Sequence, residues 1–257
     1  MPDKYYSNRI PGLLIASVLL LIQGCATLDG PPNPDDPFER YNRSMYAFNN
    51  TVDEYVMTPI AKGYNAVLPD VVNTGITNFF NNHDDVVVFF NDLLQLKFAQ
   101  AVHDSARIVY NTTFGLLGFF DVATSFGLKK NDEDFGLTLA YWGVGSGPYL
   151  VLPFLGPSDV RDSLALPVDW FAFDPVFKDA ETNATLSLLA LRYIDKRADL
   201  LQATNIIDET AIDPYSFIRD AYMLHRENLV YDGNPPNAIN EDDLFKDEDL
   251  FKDEDLK

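Results

Sequence analysis

The residue types able to do chemistry are few and scattered. His83, His103 and His225 stand far apart and share no ligand-type spacing, so core or surface histidines are expected rather than a metal site. Gly143-Val144-Gly145-Ser146-Gly147 is glycine-rich. It lacks the Lys-Ser/Thr pair that completes a phosphate-binding loop, and the Gly-x-Ser-x-Gly order that raises a nucleophilic serine on a strand-to-helix elbow. A lipid hydrolase acting through Ser146 is therefore a minor alternative. Carboxylates abound, but their number follows composition, and no two are marked out as an acid/base couple. These residues predict a protein that is not an enzyme and needs no cofactor or metal.

The one position that asks for covalent chemistry is Cys25, the sole cysteine of the chain. Lys4 and Arg9 form a positive start, and Ile10 to Ile22 is an almost wholly apolar run. Such a run is short for a membrane span and fits the apolar core of a secretory signal. It ends Ile22-Gln23-Gly24-Cys25, with an aliphatic residue three before the cysteine and a small one just before it. That is the pattern of a bacterial lipoprotein cleavage site, where the thiol receives diacylglycerol and becomes the mature N-terminus. Several acyl chains on one residue anchor firmly, whereas one chain is marginal. Ala26 follows, where Asp would favour retention at the inner membrane, so an outer-membrane address is expected. A single thiol also excludes an internal disulfide framework.

Composition narrows the rest. The net charge of −20 disfavours nucleic acid and anionic headgroups, so membrane contact must be apolar or covalent. Aromatic residues make up 13 % of the chain, which suits either a large core or a membrane boundary. Residues 1–24 read as a signal peptide and 25–37 as a linker rich in Gly, Pro and Asp. Residues 38–232 read as one helical domain and 233–257 as an acidic tail. In that tail the hexapeptide Asp-Leu-Phe-Lys-Asp-Glu starts at Asp243 and again at Asp249. Six matches neither a helical period nor a heptad, so a solvated, disordered segment is expected, with a docking strip for a basic partner as the alternative.

The elements that must position any site are helical by spacing. Phe38, Tyr41, Met45, Phe48, Val52 and Tyr55 recur at steps of three and four, one apolar stripe whose usual meaning is core packing. Pro69-Asp70 opens a second helical stretch, Asp84-Asp85 precede an apolar run from Val86 to Leu96, and Phe98 to Val109 continue the pattern. Asn183 to Gln202 and Pro214 to Tyr231 read as two more helices, the second entered through Asp213-Pro214 as cap and first-turn proline. Thr113 to Phe120 is too short to cross a bilayer; it either sits buried or dips into one leaflet. Gly143 to Pro157 reads as a loop punctuated by Gly and Pro, yet Tyr149 to Leu155 is almost entirely apolar. Exposed backbone prefers water, so this loop needs a buried or non-aqueous setting. Gly143, Gly145, Gly147, Tyr149, Leu150, Leu152 and Phe154 are the candidate lining of a lipid path, with a plugged core as the alternative.

Two stretches resemble the MlaA/VacJ family of outer-membrane lipoproteins. One is Asp36-Pro-Phe-Glu-Arg-Tyr-Asn-Arg-Ser-Met-Tyr-Ala-Phe-Asn49. The other runs from Phe135-Gly-Leu-Thr-Leu-Ala-Tyr-Trp-Gly143 through Val-Gly-Ser-Gly-Pro-Tyr-Leu-Val-Leu-Pro-Phe-Leu-Gly-Pro-Ser158 to Arg161-Asp162. Trp142 stands where the family often has Tyr, and the repeat after Asn240 is outside the family pattern. The resemblance implies a mostly α, single ring-like helical domain embedded in the periplasmic leaflet of the outer membrane, with a central amphipathic channel. It implies passage of phospholipid from the outer leaflet to a soluble periplasmic carrier, association with a porin trimer, and maintained lipid asymmetry. A porin-associated structural lipoprotein that moves no lipid is the rival reading. The anchor is testable directly: Cys25→Ser is expected to leave unprocessed or mis-sorted protein, and intact-mass analysis of the parent should find the lipid increment on Cys25. A mature N-terminus elsewhere contradicts the assignment.

Overall fold

The computed structural model describes residues 33, 36–179 and 182–236. The signal peptide, Cys25, nearly all of the linker, and the acidic repeat lie outside them. The described chain is mostly helical, as the apolar spacing predicts. Helix α1 (Glu39–Val52) runs through a wide π turn (Asp53–Met57) into α2 (Thr58–Val67). The turn lies directly before Pro59, whose ring has no N–H to continue the ladder. A second π turn (Asp169–Phe173) follows Pro167 near the end of α7 (Val160–Val168).

Helix α3 (Asp70–Leu94) and α4 (Phe98–Thr113) form an antiparallel hairpin, closed by a short turn in which Leu96 takes φ 61°. Asp84 and Asp85, expected to precede a separate segment, instead lie inside α3. The helix runs through them because both carboxylates are neutralised: Asp84 pairs with Arg192, and Asp85 with Arg107 and Lys130. The chain then passes a short helix α5 (Val122–Ser125), capped by Asp121, and α6 (Phe135–Tyr141), capped by Asp134. A two-stranded antiparallel hairpin follows, β1 (Tyr149–Leu152) on β2 (Gly156–Asp159). After α7 come α8 (Pro175–Asp179), α9 (Thr182–Asp199), α10 (Leu201–Thr210) and α11 (Pro214–Val230). Pro214 sits in the first turn of α11 after Asp213, as expected, although Asp213 makes no side-chain cap bond and holds Arg43 instead. No helix among the described residues is long and apolar enough to cross a membrane.

The interior departs from the expectation of an apolar core. Among the described residues, buried polar side chains outnumber buried apolar ones. The apolar stripe of α1 is divided: Met45 packs against the Tyr149–Val151–Tyr215 cluster, Phe48 and, in the π turn beyond, Tyr55 are exposed, and the fully buried residue of the helix is Asn42. On α3 the polar residues Asn82, Asp85 and Asp92 recur at helical spacing and are buried. Arg107 on α4 is 1 % exposed; its Nε donates to Asp85 (3.1 Å) and its Nη1 to Thr124 and the Leu128 carbonyl. The outer face of α4 carries Phe98, Val102 and Val109, each at least 60 % exposed. Phe114, Leu116 and Leu117 stand out on the loop beyond it, so this segment presents its apolar tip rather than burying it. The loop is tied back to α3, where Asn78 donates to the Phe119 carbonyl and the Phe119 ring occupies the space a side chain on Gly75 would need. Two small apolar clusters complete the packing, Ala61–Ala198–Leu201 and Tyr149–Val151–Tyr215.

One buried carboxyl lacks a donor. Neither side-chain oxygen of Asp92 receives a hydrogen bond, while Asp104 beside it accepts two from Asn131. Burial, then the neighbouring Asp104 and Glu133, outweigh Lys97 and push the Asp92 carboxyl from 3.8 up to about 8. A proton on Asp92 supplies the missing donor. Because the folded value lies above the unfolded one, that contribution is fully present at low pH and is lost as pH rises through the folded value. Asp92→Asn is neutral at every pH and can donate to Asp104. It is expected to melt above the parent at pH 8 and to match it near about pH 4, where the unfolded carboxyl also begins to hold its proton. Equal melting temperatures at pH 8 would contradict a protonated Asp92.

Candidate functional site

The segment with the strongest sequence signal, Gly143 to Pro157, is not a free loop. Its second half is the β hairpin, and helix α1 holds it through two asparagines. Asn42 donates to the Tyr149 carbonyl (3.0 Å) and accepts from the Val151 N–H (2.9 Å). Asn49 donates to the Leu152 carbonyl (2.9 Å) and accepts from the Phe154 N–H (2.8 Å). The fit is geometric. Seven residues of helix rise roughly 10 Å, and three residues of strand advance roughly 10 Å, so amides seven apart on α1 meet backbone groups three apart on the hairpin. Asp36 completes the arrangement, accepting from Asn42 and from the Tyr215 hydroxyl. At the tip Phe154 takes φ 64° and Gly156 φ 84°. The Tyr193 hydroxyl donates to the Phe154 carbonyl and ties the tip to α9.

The hairpin borders a cavity of about 790 Å³. Leu152, Leu155 and Pro157 give it an apolar wall. Helix α9 gives it a cationic one, with Arg192, Lys196 and Arg197 on neighbouring turns, and α11 adds Tyr222 and Arg226. Trp170 and Phe177 stack at 5.6 Å on a third side. A smaller cavity of about 210 Å³ shares Leu155, Pro157, Tyr193 and Arg197 with the larger one, so the hairpin tip and Tyr193 stand between the two.

Most of the charges are locked in pairs. Arg226 grips Asp134 with both Nη atoms (2.6 and 3.0 Å), and its Nε lies 2.6 Å from Asp162. Asp162 also accepts from Arg161 and from the Tyr222 hydroxyl. Burial alone would raise the Asp162 carboxyl, but Arg226 and Arg161 hold it below the usual range. Asp159 caps α7 by accepting from the Asp162 N–H (2.7 Å), and burial pushes it up to about 6. Burial likewise raises Asp169 to about 6, although it accepts from the Phe135 N–H and from Asn91. Gly136 is required here for close approach, since a side-chain carbon there would stand 2.2 Å from Asp162 Oδ1. The arrangement joins an apolar surface to a fixed row of cations, which can hold a molecule that is part apolar and part phosphate or carboxylate.

Leu152 lines the larger cavity, and Tyr149 and Phe154 line the smaller one. Leu150 is half-buried in β1 and borders neither. Gly143, Gly145 and Gly147 lie on the connection from α6 to β1, away from both. Gly143 (φ 90°) ends α6, and Gly147 (φ 70°) packs against Val160. Ser146 uses its carbonyl to accept from the Arg161 N–H. His83 faces the Phe79 carbonyl and His103 faces Asp104. The cations of α9 carried no weight in the sequence, although Arg192 and Lys196, four apart, share one helix face. Asn42 and Asn49 were in plain view at the helical spacing of seven.

Comparison with known proteins agrees with this geometry. The family model described as MlaA lipoprotein matches residues 34–229. The chain is 32 % identical to the intermembrane phospholipid transport system lipoprotein MlaA of Escherichia coli (strain K12), covering 92 % of this chain and 96 % of that one. It is 34 % identical to an uncharacterized protein of Rickettsia bellii (strain RML369-C), covering 79 % and 80 %. A solved structure described as "Structural basis for maintenance of bacterial outer membrane lipid asymmetry" superposes with a TM-score of 0.67 at 28 % identity, covering 76 % of this chain and 98 % of that one. The chain belongs to the MlaA lipoprotein family.

Proposed function

We propose that this protein removes mislocalised phospholipid from the outer leaflet of the outer membrane and passes it to a periplasmic carrier, so maintaining lipid asymmetry. The observation that carries the reading is the inverted body around a charged cavity: polar side chains are buried while Phe98, Val102, Val109, Phe114, Leu116 and Leu117 face outward. Exposed apolar surface on this scale marks a membrane or partner contact. Among the described residues no helix is both long and apolar enough to span; in this reading the body lies in the periplasmic leaflet, held there by acyl chains on Cys25. A phospholipid headgroup crossing an apolar layer unaided must shed its water. A passage lined by Arg192, Lys196 and Arg197 on one side and the hairpin on the other replaces that water for the headgroup and keeps contact with the chains. The two cavities divided by the hairpin tip form the amphipathic channel, and Leu152, Tyr149 and Phe154 line it. The outward aromatic surface fits a neighbouring porin trimer as well as lipid.

The relatives' descriptions support transport over a purely structural role. The decisive experiment is genetic and chemical together. Deleting the gene in the protein's own host is expected to raise the phospholipid that a membrane-impermeant amine reagent labels on the cell surface. Restoring the parent chain should return it to the starting level. Unchanged surface phospholipid in the deletion would overturn the transport reading and leave a porin-associated structural lipoprotein.

A further inference from the structure

We infer that Lys196 takes the phosphodiester of a zwitterionic glycerophospholipid in the larger cavity; the inference rests on the transport reading and names the contact at which the headgroup is held. Four cations line that cavity, and three are committed. Arg192 is bound to Asp84 and, at 2.8 Å, to Asp174. Arg197 holds Asp53 with Nε and Nη2 at 2.5 and 2.7 Å. Arg226 holds Asp134 and Asp162. Lys196, one helical turn beyond Arg192 on α9, makes no ion pair or hydrogen bond among the described residues, and it is exposed to the cavity. It is therefore the cavity's free charge-assisted donor, and an ammonium on a flexible stem can follow a phosphate as it passes.

The surrounding charge selects the headgroup. The three arginines are met by five carboxylates, Asp53, Asp84, Asp134, Asp162 and Asp174, and Asp169 adds a sixth on the wall. Arg161 also holds Asp162 and lies 3.6 Å from Asp159, so five cations against seven carboxylates leave the neighbourhood net acidic. A lipid of net negative charge is repelled by it, whereas one that carries its own ammonium is not. Phosphate attraction is thus confined to Lys196, and the cationic end of a zwitterion finds acid nearby. The apolar wall of Leu152 and Leu155 lies across the same cavity, where the upper part of the acyl chains would run.

The test is native mass spectrometry of the full lipidated protein after incubation with vesicles of phosphatidylethanolamine and phosphatidylglycerol in equal amounts. The parent is expected to carry phosphatidylethanolamine in excess. Lys196→Gln should carry about tenfold less, the loss expected for one charge-assisted hydrogen bond, and Lys196→Arg should retain it. Melting temperatures should move little, since among the described residues Lys196 makes no ion pair or hydrogen bond and only adds to the field at Asp84. If the parent carries lipid and Lys196→Gln carries as much, Lys196 is not the contact. Equal or greater loading of phosphatidylglycerol overturns the zwitterion assignment. Titration with inorganic phosphate alone should give no saturable heat; a saturable signal lost in Lys196→Gln would make this a free-anion site and overturn the lipid assignment. If the parent takes up no phospholipid from any vesicle, the transport reading fails first and this inference falls with it.

Discussion

Asp85 and Arg107 meet at 3.1 Å inside the α3–α4 hairpin, each side chain 1 % exposed. Burying two charges costs several kcal/mol apiece unless geometry and further hydrogen bonds return it. Here Lys130 takes the second Asp85 oxygen, Thr124 and the Leu128 carbonyl take the Arg107 Nη1 donors, and Nη2 faces Asp121 at 3.6 Å. The same solution recurs around Asp162 and Arg226, and around Asn42 with Asp36 and Tyr215. Polar groups satisfied against one another in this way leave the chain's large apolar residues to cover the outside. An exterior so built fits hydrocarbon better than water, because its apolar side chains lose nothing there.

That constraint explains the features of the site. The hairpin can run beside a charged cavity because Asn42 and Asn49 satisfy its outer backbone groups, which would otherwise face neither water nor a third strand. The cations of α9 can line the cavity because each arginine is clamped by an aspartate from another element: Asp53 from the π turn after α1, Asp84 from α3, Asp174 from the start of α8. These pairs therefore fix the cavity's walls and at the same time neutralise them. What is left for a ligand, among the described residues, is one unpaired ammonium and a row of apolar side chains.

Much of this was legible in the chain, and the part that was not has a physical reason. The helices announce themselves through apolar recurrence and through Asp213-Pro214 and Pro69-Asp70, since these signals are local. The meaning of the recurrence was legible only in part. Along α1 Met45 packs inward while Phe48 and, in the π turn beyond, Tyr55 face outward, because periodicity reports that a helix has two faces and is silent on which one meets solvent. The counter-signal was present on α3, where Asn82, Asp85 and Asp92 recur on one side of a helix otherwise rich in Val and Phe. The hairpin was read as a loop because Gly143, Gly147, Pro148 and Pro153 dominate its surroundings. A strand of four residues whose partner groups come from α1 leaves little pattern of its own. Two of the arginine clamps join residues more than a hundred positions apart, Asp53 with Arg197 and Asp84 with Arg192, and no spacing rule reaches that far.

The central claim is that the apolar exterior faces lipid while the charged cavity at Lys196 does not. Single fluorescent labels on cysteines placed at Phe98, Val102 and Leu116 test it in bilayers by quenching from lipid-bound and from water-soluble quenchers. The account predicts strong quenching by the lipid-bound probe and little by the aqueous one at all three positions, with the reverse for a label at Lys196. Efficient aqueous quenching at Phe98, Val102 and Leu116 would mean that this surface meets water, and the account would be wrong.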